Sequence, residues 1–340
     1  MFQYGMRKPV TRGCQALTQG TRAALRSIAG ALSGQADRAR RRVPIPIWLL
    51  AALPPLFWSG NFVLARALHA DIPPLALSFW RWSGALLILL PFTWRGLWRQ
   101  RQLLARHWPV LTLLAVLGVT IYNTMAYLGL QHTTATNAVL LNSVAPVLIV
   151  GLSFLLLGVP VRAAQLGGIL ISLAGVVLIA TRGQPQLLAQ LSLNRGDLWI
   201  IIACLDWALY SVCLHWRPAG LAPATFLTAI VVIGLVPLAG LYTLELTAGH
   251  GFTPDAVTLG AIGYVALFPS VLAYLFWNRA IAEQGANRTG HYIHLMPVFG
   301  TLLAVLLLGE RLHGFHLLGG LLIGAGILLA TRSRLSRRSK

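Results

Sequence analysis

Two stretches of the chain resemble each other and determine the fold: residues 163–182, AAQLGGILISLAGVVLIATR, and residues 314–332, GFHLLGGLLIGAGILLATR. Each stretch is apolar and has about the 20 residues needed to cross the hydrocarbon core of a bilayer. Gly168 matches Gly319 at an offset of 151 residues, and both stretches end in Ala-Thr-Arg. The chain therefore contains the same kind of membrane helix twice.

The repeat extends toward the N-terminal side of both stretches. Pro146 matches Pro297 at the same offset, and the tripeptide Ala-Tyr-Leu at 126–128 recurs at 273–275. Apolar composition alone does not place prolines and loops at a nearly constant offset. The sequence thus predicts a duplicated unit of several helices, residues 45–182 and residues 195–332.

Ten apolar windows of membrane-spanning length follow one another along the chain, five in each repeat. They cover residues 46–66, 75–94, 108–129, 135–156, 163–181, 196–216, 222–245, 257–279, 286–308 and 314–331. Because five is an odd number, the second repeat crosses the bilayer in the opposite orientation, as in many secondary transporters. The predicted fold class is an all-α polytopic membrane protein with ten transmembrane helices arranged as two inverted five-helix repeats.

The composition excludes most soluble classes of protein. Of the 340 residues, 56% are hydrophobic and only 10% are charged, whereas soluble domains carry about 25% charged residues. A formal net charge of +19 would suit a nucleic-acid partner, but the basic residues lie at the ends of apolar spans and form no polar patch. We therefore predict the lipid bilayer as the environment and no nucleic-acid partner.

The basic residues instead predict the orientation of the chain. With the N-terminus in the cytoplasm, 22 of the 27 Lys and Arg residues fall on the cytoplasmic side, which is the side where such residues accumulate. Both termini are thus predicted to be cytoplasmic and the protein to lie in the cell inner membrane. Residues 1–44 lack the apolar core of a secretory signal and are interpreted as a basic, disordered arm, with a transit peptide as the alternative; residues 333–340 form a basic tail.

Several short motifs resemble a known family. These are WSGNF at 58–62, Arg81, TTA at 133–135 followed by Pro146, and LGER at 308–311. Together they resemble the EamA-type drug/metabolite transporters and, among these, the YddG-type carriers of aromatic and other amino acids. The resemblance implies a ten-helix inverted-repeat fold, peripheral fifth and tenth helices, and export of metabolites such as amino acids. One departure is that the first repeat has Gly-Val-Pro where the second has Gly-Glu-Arg, so we assign the acidic residue of that hairpin no shared role.

The fifth and tenth predicted spans contain almost no polar residues. Their small residues, Gly168, Ser172 and Gly175 in one span and Gly320 and Gly324 in the other, have the spacing that lets membrane helices approach closely. Close packing of these two spans agrees with the peripheral place that the resemblance implies.

Polar residues inside the other spans predict a central cavity. Such residues cost free energy in lipid and should face the protein interior, and several form stripes at helical spacing, such as Ser270, Tyr274 and Asn278. With aromatic walls, the stripes suit a small amphipathic solute; hydrogen bonding between helices is the alternative. The candidate substrate-binding residues are Trp58, Asn61, Tyr122, Asn123, Asn142, Asp206, Tyr210, Ser270, Tyr274, Asn278, His291 and His294.

Two charged residues, Arg81 and Asp206, lie inside predicted spans, so the orientation of the chain in the membrane does not explain them. Asp206 lies roughly 15 Å inside the sixth span and Arg81 roughly 9 Å inside the second, at 1.5 Å of rise per residue. One interpretation is an internal ion pair that stabilises packing. The other is contact with the carboxylate or amine of an amino acid, or uptake of a proton by Asp206 during transport.

No cofactor and no metal are predicted. His291 and His294 could in principle bind a metal with Asp206, but a histidine pair is a weak signal, and the three cysteines have no zinc or disulfide spacing. Hydrogen bonding in the cavity, or pH-dependent contact with substrate, are the other roles considered for the histidines.

These patterns predict a secondary exporter of small metabolites, most of all amino acids including aromatic ones, that works by alternating access and is not an enzyme. Its partners are a small-molecule substrate and lipid, with no oligomeric state indicated. The alternatives are an intramembrane enzyme using Asp206, His291 and His294, a membrane scaffold, or an exporter of cationic drugs or other metabolites. The bending that alternating access needs is assigned to prolines, which remove backbone hydrogen bonds: Pro54, Pro55, Pro146 and Pro297.

Overall fold

The computed structural model describes residues 46–184, 186, 194–308 and 311–331. Within these ranges all regular secondary structure is helical. In the described part of the chain, nine helices are long and apolar enough to cross a membrane: α1 Ile47–Ala67, α2 Pro74–Arg99, α3 Trp108–His132, α4 Ala135–Leu157, α5 Ala163–Ala180, α6 Arg195–Trp216, α7 Pro223–Thr247, α8 Ala256–Gln284 and α10 Gly314–Thr331. The all-helical membrane fold is therefore confirmed.

The predicted ninth span, 286–308, has a different form from the others. It is divided into an α-helical turn Ala286–Gly290, a 3-10 segment His291–Leu295 and an α-helix Met296–Leu308, which together we call α9. None of the three pieces reaches spanning length by itself, so a count of ten spans stays a prediction. The predicted arm 1–44, the tail 333–340 and part of the LGER motif lie outside the described residues, and the placement of the termini stays a prediction as well.

Irregular helical segments occur at equivalent places in the two repeats. In the third helix of each repeat, a π-helical segment interrupts the α-helix, at Val116–Ile121 in α3 and at Ala266–Leu272 in α8. In the fourth helix, regular α-helix resumes just before Pro146 and just before Pro297. Loosened i to i−4 hydrogen bonding of this kind is common near functional sites.

Polarity is distributed inside out relative to a soluble protein. Large apolar side chains on the surface, such as Leu87, Phe92 and Val236, are more than 70% exposed, while Arg81 is 1% exposed and Asp206 5%. A surface of this kind is stable in a hydrocarbon environment, where the buried polar groups avoid contact with lipid.

Helices α5 and α10 pack against each other through pairs of glycines. A Cβ atom on Gly168 would lie 2.5 Å from the carbonyl oxygen of Gly326, and a Cβ atom on Gly175 would lie 2.5 Å from the carbonyl oxygen of Gly319. The higher-numbered glycine of α5 contacts the lower-numbered glycine of α10, so the helices run antiparallel. Since Gly168 is the repeat equivalent of Gly319, and Gly175 of Gly326, the contact is reciprocal, as inverted copies require.

The glycines that were predicted to make this contact in α10 are not the ones that do. A Cβ atom on Gly320 or Gly324 would meet no atom within 4 Å, so these residues lie on another face of the helix. Gly319 and Gly326 form the contact instead. Spacing alone cannot distinguish them, because glycines seven residues apart, as in Gly319 and Gly326, and glycines four residues apart, as in Gly320 and Gly324, both lie on one face of a helix.

This packing gives a direct prediction for stability. Gly168→Leu should lower the free energy of unfolding by at least about 1–3 kcal/mol, the usual cost of overpacking, because the new side chain meets the backbone of α10. Gly320→Leu is the matched control and should leave stability nearly unchanged. Thermal unfolding in detergent micelles measures the difference, and equal midpoints for the two variants would contradict the assigned contact.

Candidate functional site

Arg81 lies at the centre of a hydrogen-bond network that joins four helices. From α2, its Nε donates to Ser270 Oγ at 2.6 Å and its Nη2 to the carbonyl oxygen of Pro269 at 3.0 Å, both in α8. Its Nη1 donates to Tyr127 OH in α3 at 2.8 Å and to Asn61 Oδ1 in α1 at 3.2 Å. Tyr127 OH in turn donates to Asn61. A buried guanidinium thus holds α1, α2, α3 and α8 together.

All the acceptors around Arg81 are neutral. Among the described residues, Arg81 contacts no carboxylate within ion-pair distance, and Asp206 forms no ion pair with it. The suggested internal ion pair is therefore not formed in this structure, because Arg81 points toward α1, α3 and α8. The two unexplained charges occupy separate environments.

An aromatic cluster fills the middle of the bundle around Trp207 of α6. The Trp207 ring has five aromatic neighbours whose centroids lie 4.8 to 5.6 Å away, which is the normal range for interacting rings. These neighbours are Trp58, Tyr122, Tyr210, Tyr274 and Trp277. The structure thus brings four of the predicted aromatic site residues together, packed ring against ring.

The predicted polar residues around this cluster form bonds between helices. Tyr210 OH donates to Asn278 Oδ1 at 3.0 Å, and Tyr274 OH donates to the carbonyl oxygen of Gly118, in the π-helical segment of α3, at 2.5 Å. Asn142 Nδ2 contacts the sulfur of Met296 at 3.3 Å. These bonds are the kind that the alternative interpretation of the polar stripes predicted.

The two histidines of α9 have different surroundings. His294 Nε2 lies 2.8 Å from the carbonyl oxygen of Ser143 and Nδ1 lies 2.5 Å from Ser172 Oγ. Because a carbonyl oxygen can only accept, Nε2 carries a proton, and His294 connects α4, α5 and α9. His291 is fully buried, and both its ring nitrogens are without hydrogen-bond partners.

Unpartnered buried polar atoms are concentrated at predicted site residues. Buried polar groups in proteins are nearly always hydrogen-bonded, so exceptions often mark functional positions. Asn123 Nδ2, Asp206 Oδ2, Asn278 Nδ2 and the ring nitrogens of His291 all lack partners. They belong to α3, α6, α8 and α9, the helices that surround the aromatic cluster. Among the residues that the structure describes, no group of three or more metal-ligating side chains comes together.

The predicted hinge prolines occupy two kinds of position. Pro54 and Pro55 are buried inside α1, whereas Pro146 and Pro297 follow irregular segments of α4 and α9 and begin regular helix. In α1, Ser59 Oγ donates to the carbonyl oxygen of Pro55 at 2.6 Å. The role of these residues as hinges stays a prediction.

A cavity of about 600 Å³ opens at one end of the bundle. It lies among the C-terminal ends of α4, α6 and α8 and the beginnings of α5 and α9, and Ser211 connects it to the aromatic cluster by accepting a hydrogen bond from Trp277 Nε1 at 3.2 Å. None of the twelve predicted substrate-binding residues is among its lining residues. Its polar lining consists of Ser153, Arg162, Gln165, Ser211, His215, Arg217, Gln284, Asn287 and Arg288.

Sequence reasoning missed the basic residues of this cavity. Arg162 and Arg217 lie just outside the predicted spans and Arg288 lies at the start of the ninth. Positive charge at such positions also indicates orientation, and this explanation accounts for all three residues in the sequence. Their positions at the ends of neighbouring antiparallel helices were the only available signal that they converge. Asn287, which precedes His291 by four residues in α9, also lines the cavity.

Comparison with known proteins agrees with the class that this fold defines, a multi-pass membrane transporter. A model described as the EamA-like transporter family matches residues 45–181 and 194–332. The uncharacterized transporter YyaM of Bacillus subtilis is 30% identical over 281 residues, covering 81% of this chain and 90% of that protein. An uncharacterized transporter of Archaeoglobus fulgidus is 31% identical over 294 residues, covering 83% of this chain and 96% of that protein.

Two further similarities are more distant. A protein named a probable terminal-alkyne amino-acid exporter, from Streptantibioticus cattleyicolor, is 28% identical over 243 residues, covering 69% of this chain and 76% of that protein. A crystal structure with 22% identity superposes with a TM-score of 0.67 over 83% of this chain and 95% of that chain, which supports the fold. The chain belongs to the EamA-like transporter family, and it is a membrane transporter of small metabolites.

Proposed function

We propose that this transporter exports amino acids, including aromatic ones, from the cytoplasm across the inner membrane by alternating access. The observation that carries the proposal is a metabolite-sized cavity whose lining residue Ser211 accepts a hydrogen bond from Trp277 of the buried aromatic cluster, around which unpartnered polar atoms are concentrated. Amide, carboxyl and imidazole groups beside aromatic faces suit a solute with charged amino and carboxylate groups and an apolar side chain. The amino-acid exporter among the relatives is consistent with this substrate class.

The two ends of the bundle support access from one side at a time. At the end away from the cavity, α1 and α3 are joined because Arg66 Nη1 donates to the carbonyl oxygen of Leu130 at 2.8 Å. Their repeat equivalents, α6 and α8, line the cavity at the other end. If the two repeats exchanged these arrangements, the joined end would open and the open end would close, and a central site would become accessible from the other face of the membrane. With the predicted orientation, the open end is the cytoplasmic one.

Flux in reconstituted vesicles tests the proposal. We expect purified protein in liposomes to move labelled phenylalanine down its gradient, with competition from other amino acids exceeding that from polyamines or cationic drugs. Empty liposomes are the control. Chemical conversion of the solute without flux would favour the intramembrane enzyme, and competition by cationic drugs alone would favour a different substrate class.

Asp206 provides a sharper test of coupling. If its carboxyl exchanges a proton during the cycle, Asp206→Asn should lower phenylalanine flux at least about tenfold, equal to roughly 1.4 kcal/mol of barrier, and abolish its pH dependence. Asp71→Asn, an exposed loop carboxylate in the wild type, is the matched control and should transport normally. Unchanged flux and pH dependence in Asp206→Asn would contradict a role in coupling.

A further inference from the structure

The cavity at the ends of α4, α6 and α8 has a one-sided charge. Its described lining residues include Arg162, Arg217 and Arg288 together with His215, and no acidic residue is among them. The recess formed by loops at the opposite end of the bundle has the reverse character, since Asp71 and Asp255 line it and no basic residue does so among its described residues. The recesses at the two ends are thus lined by charges of opposite sign.

The shape of the cavity strengthens the effect of these charges. Charges of one sign that line a cleft with low-dielectric walls focus the field and raise the local concentration of counter-ions. Arg217 is placed by its contact with a neighbouring helix, because its guanidinium carbon lies 5.5 Å from the centroid of the Phe226 ring in α7. Packing against Phe226 therefore holds the positive charge of Arg217 at the cavity.

A second, independent observation points to a bound group. Asn287 is 8% exposed and lines the cavity, yet neither its Nδ2 nor its Oδ1 has a hydrogen-bond partner. A buried amide without partners is costly unless something binds it. The amide Nδ2 can donate to a carboxylate oxygen, and the arginines of the cavity supply the complementary charge.

We infer that this cavity is a selectivity site that admits solutes carrying a carboxylate and excludes solutes of net positive charge, with Arg217 supplying charge and Asn287 a hydrogen bond. The inference rests on the proposed transport function and narrows its substrate class. It separates amino acids and organic acids from polyamines and cationic drugs before they reach the aromatic cluster.

Charged thiol reagents measure the potential in the cavity without requiring transport. We introduce Ala286→Cys, in the cavity lining, on a Cys14→Ser background, and compare its reaction rates with an anionic and a cationic methanethiosulfonate, using the background protein as the baseline. Each reagent's rate is divided by its rate with a small free thiol, and by this measure the anionic reagent should react faster than the cationic one. Arg217→Gln should lower the ratio of the anionic to the cationic rate about threefold or more, as loss of a nearby unit charge predicts.

The matched control separates the cavity from the general positive charge of this side. Arg106→Gln removes the same charge from an exposed position on the short helix Arg101–Arg106, at the same end of the bundle but outside the cavity, and should leave the preference unchanged. Equal effects of Arg217→Gln and Arg106→Gln, or faster reaction of the cationic reagent, would overturn the inference.

Protection of the same cysteine tests binding by the carboxylate. L-glutamate should slow labelling of Ala286→Cys by neutral N-ethylmaleimide more than L-lysine does, and Asn287→Ala should weaken that protection. The inference would be overturned if the two amino acids protected the cysteine equally or if neither protected it. If the protein transports phenylalanine but the cysteine shows no preference for the anionic reagent, the transport proposal stands and the selectivity site is rejected. If the cysteine prefers the anionic reagent but no phenylalanine flux is found, the selectivity site stands and the transport proposal is rejected.

Discussion

Trp207→Ala should produce the largest loss of stability of any single substitution in this protein. Its ring contacts five other aromatic rings and is only 1% exposed, so truncation removes packing at the meeting point of α1, α3, α6 and α8. Replacing a buried tryptophan with alanine costs about 3–5 kcal/mol. Thermal unfolding in detergent, followed by size-exclusion chromatography, should show a clearly lowered midpoint, and phenylalanine flux should be lost.

A matched control and a conservative variant distinguish this effect from general damage. Trp94 of α2 is 54% exposed, so Trp94→Ala should leave the midpoint and flux close to the wild-type values. Trp207→Phe keeps an aromatic face and should recover part of the stability. If Trp207→Ala and Trp94→Ala lowered the midpoint equally, the central cluster would not be the core of the bundle.

Arg81→Ala should be the second most damaging substitution. It removes a guanidinium that donates four hydrogen bonds, so buried acceptors on α1, α3 and α8 lose their arginine donor, although some, such as Asn61 with Tyr127 OH, keep a second donor. Hydrogen bonds to a charged group are worth about 1.5–3 kcal/mol each, so we expect at least about 3 kcal/mol of lost stability. Flux should fall at least about tenfold, which is roughly 1.4 kcal/mol of barrier.

Lysine at this position tests the geometry of the network. An ammonium keeps the charge but not the planar, five-donor geometry of arginine, so Arg81→Lys should be intermediate between wild type and Arg81→Ala. Arg95→Ala, in the same helix but exposed, controls for loss of a positive charge. Wild-type flux and midpoint in Arg81→Ala would show that the network has no role in holding the four helices.

Part of the candidate site could be predicted because burial follows directly from residue type in a membrane span. Asn123, Asp206, Asn278 and His291 were expected to face the interior, and each has an unpartnered buried polar atom. The partners of Arg81 could not be predicted, since depth along two helices gives no information about which way a side chain turns. For the same reason the suggested Arg81–Asp206 pair is not formed.

The arginines of the cavity illustrate a different difficulty. In sequence, Arg162, Arg217 and Arg288 are more than 50 residues apart, and each is explained by the accumulation of positive charge on one side of the membrane. Only packing brings the ends of α4, α6 and α8 around one cavity. A basic residue that sets the orientation of the chain in the membrane can also line a binding site, and composition does not distinguish these two roles.

The sequence by itself determined the environment, the class of fold and its duplication, because hydropathy, helical spacing and a constant repeat offset are properties of the chain. Tertiary structure decided which glycines of α10 contact α5, which groups surround Arg81 and which basic residues converge on the cavity. These depend on the rotation of each helix about its axis. That rotation is set by side-chain packing between helices distant in sequence, which no local pattern records.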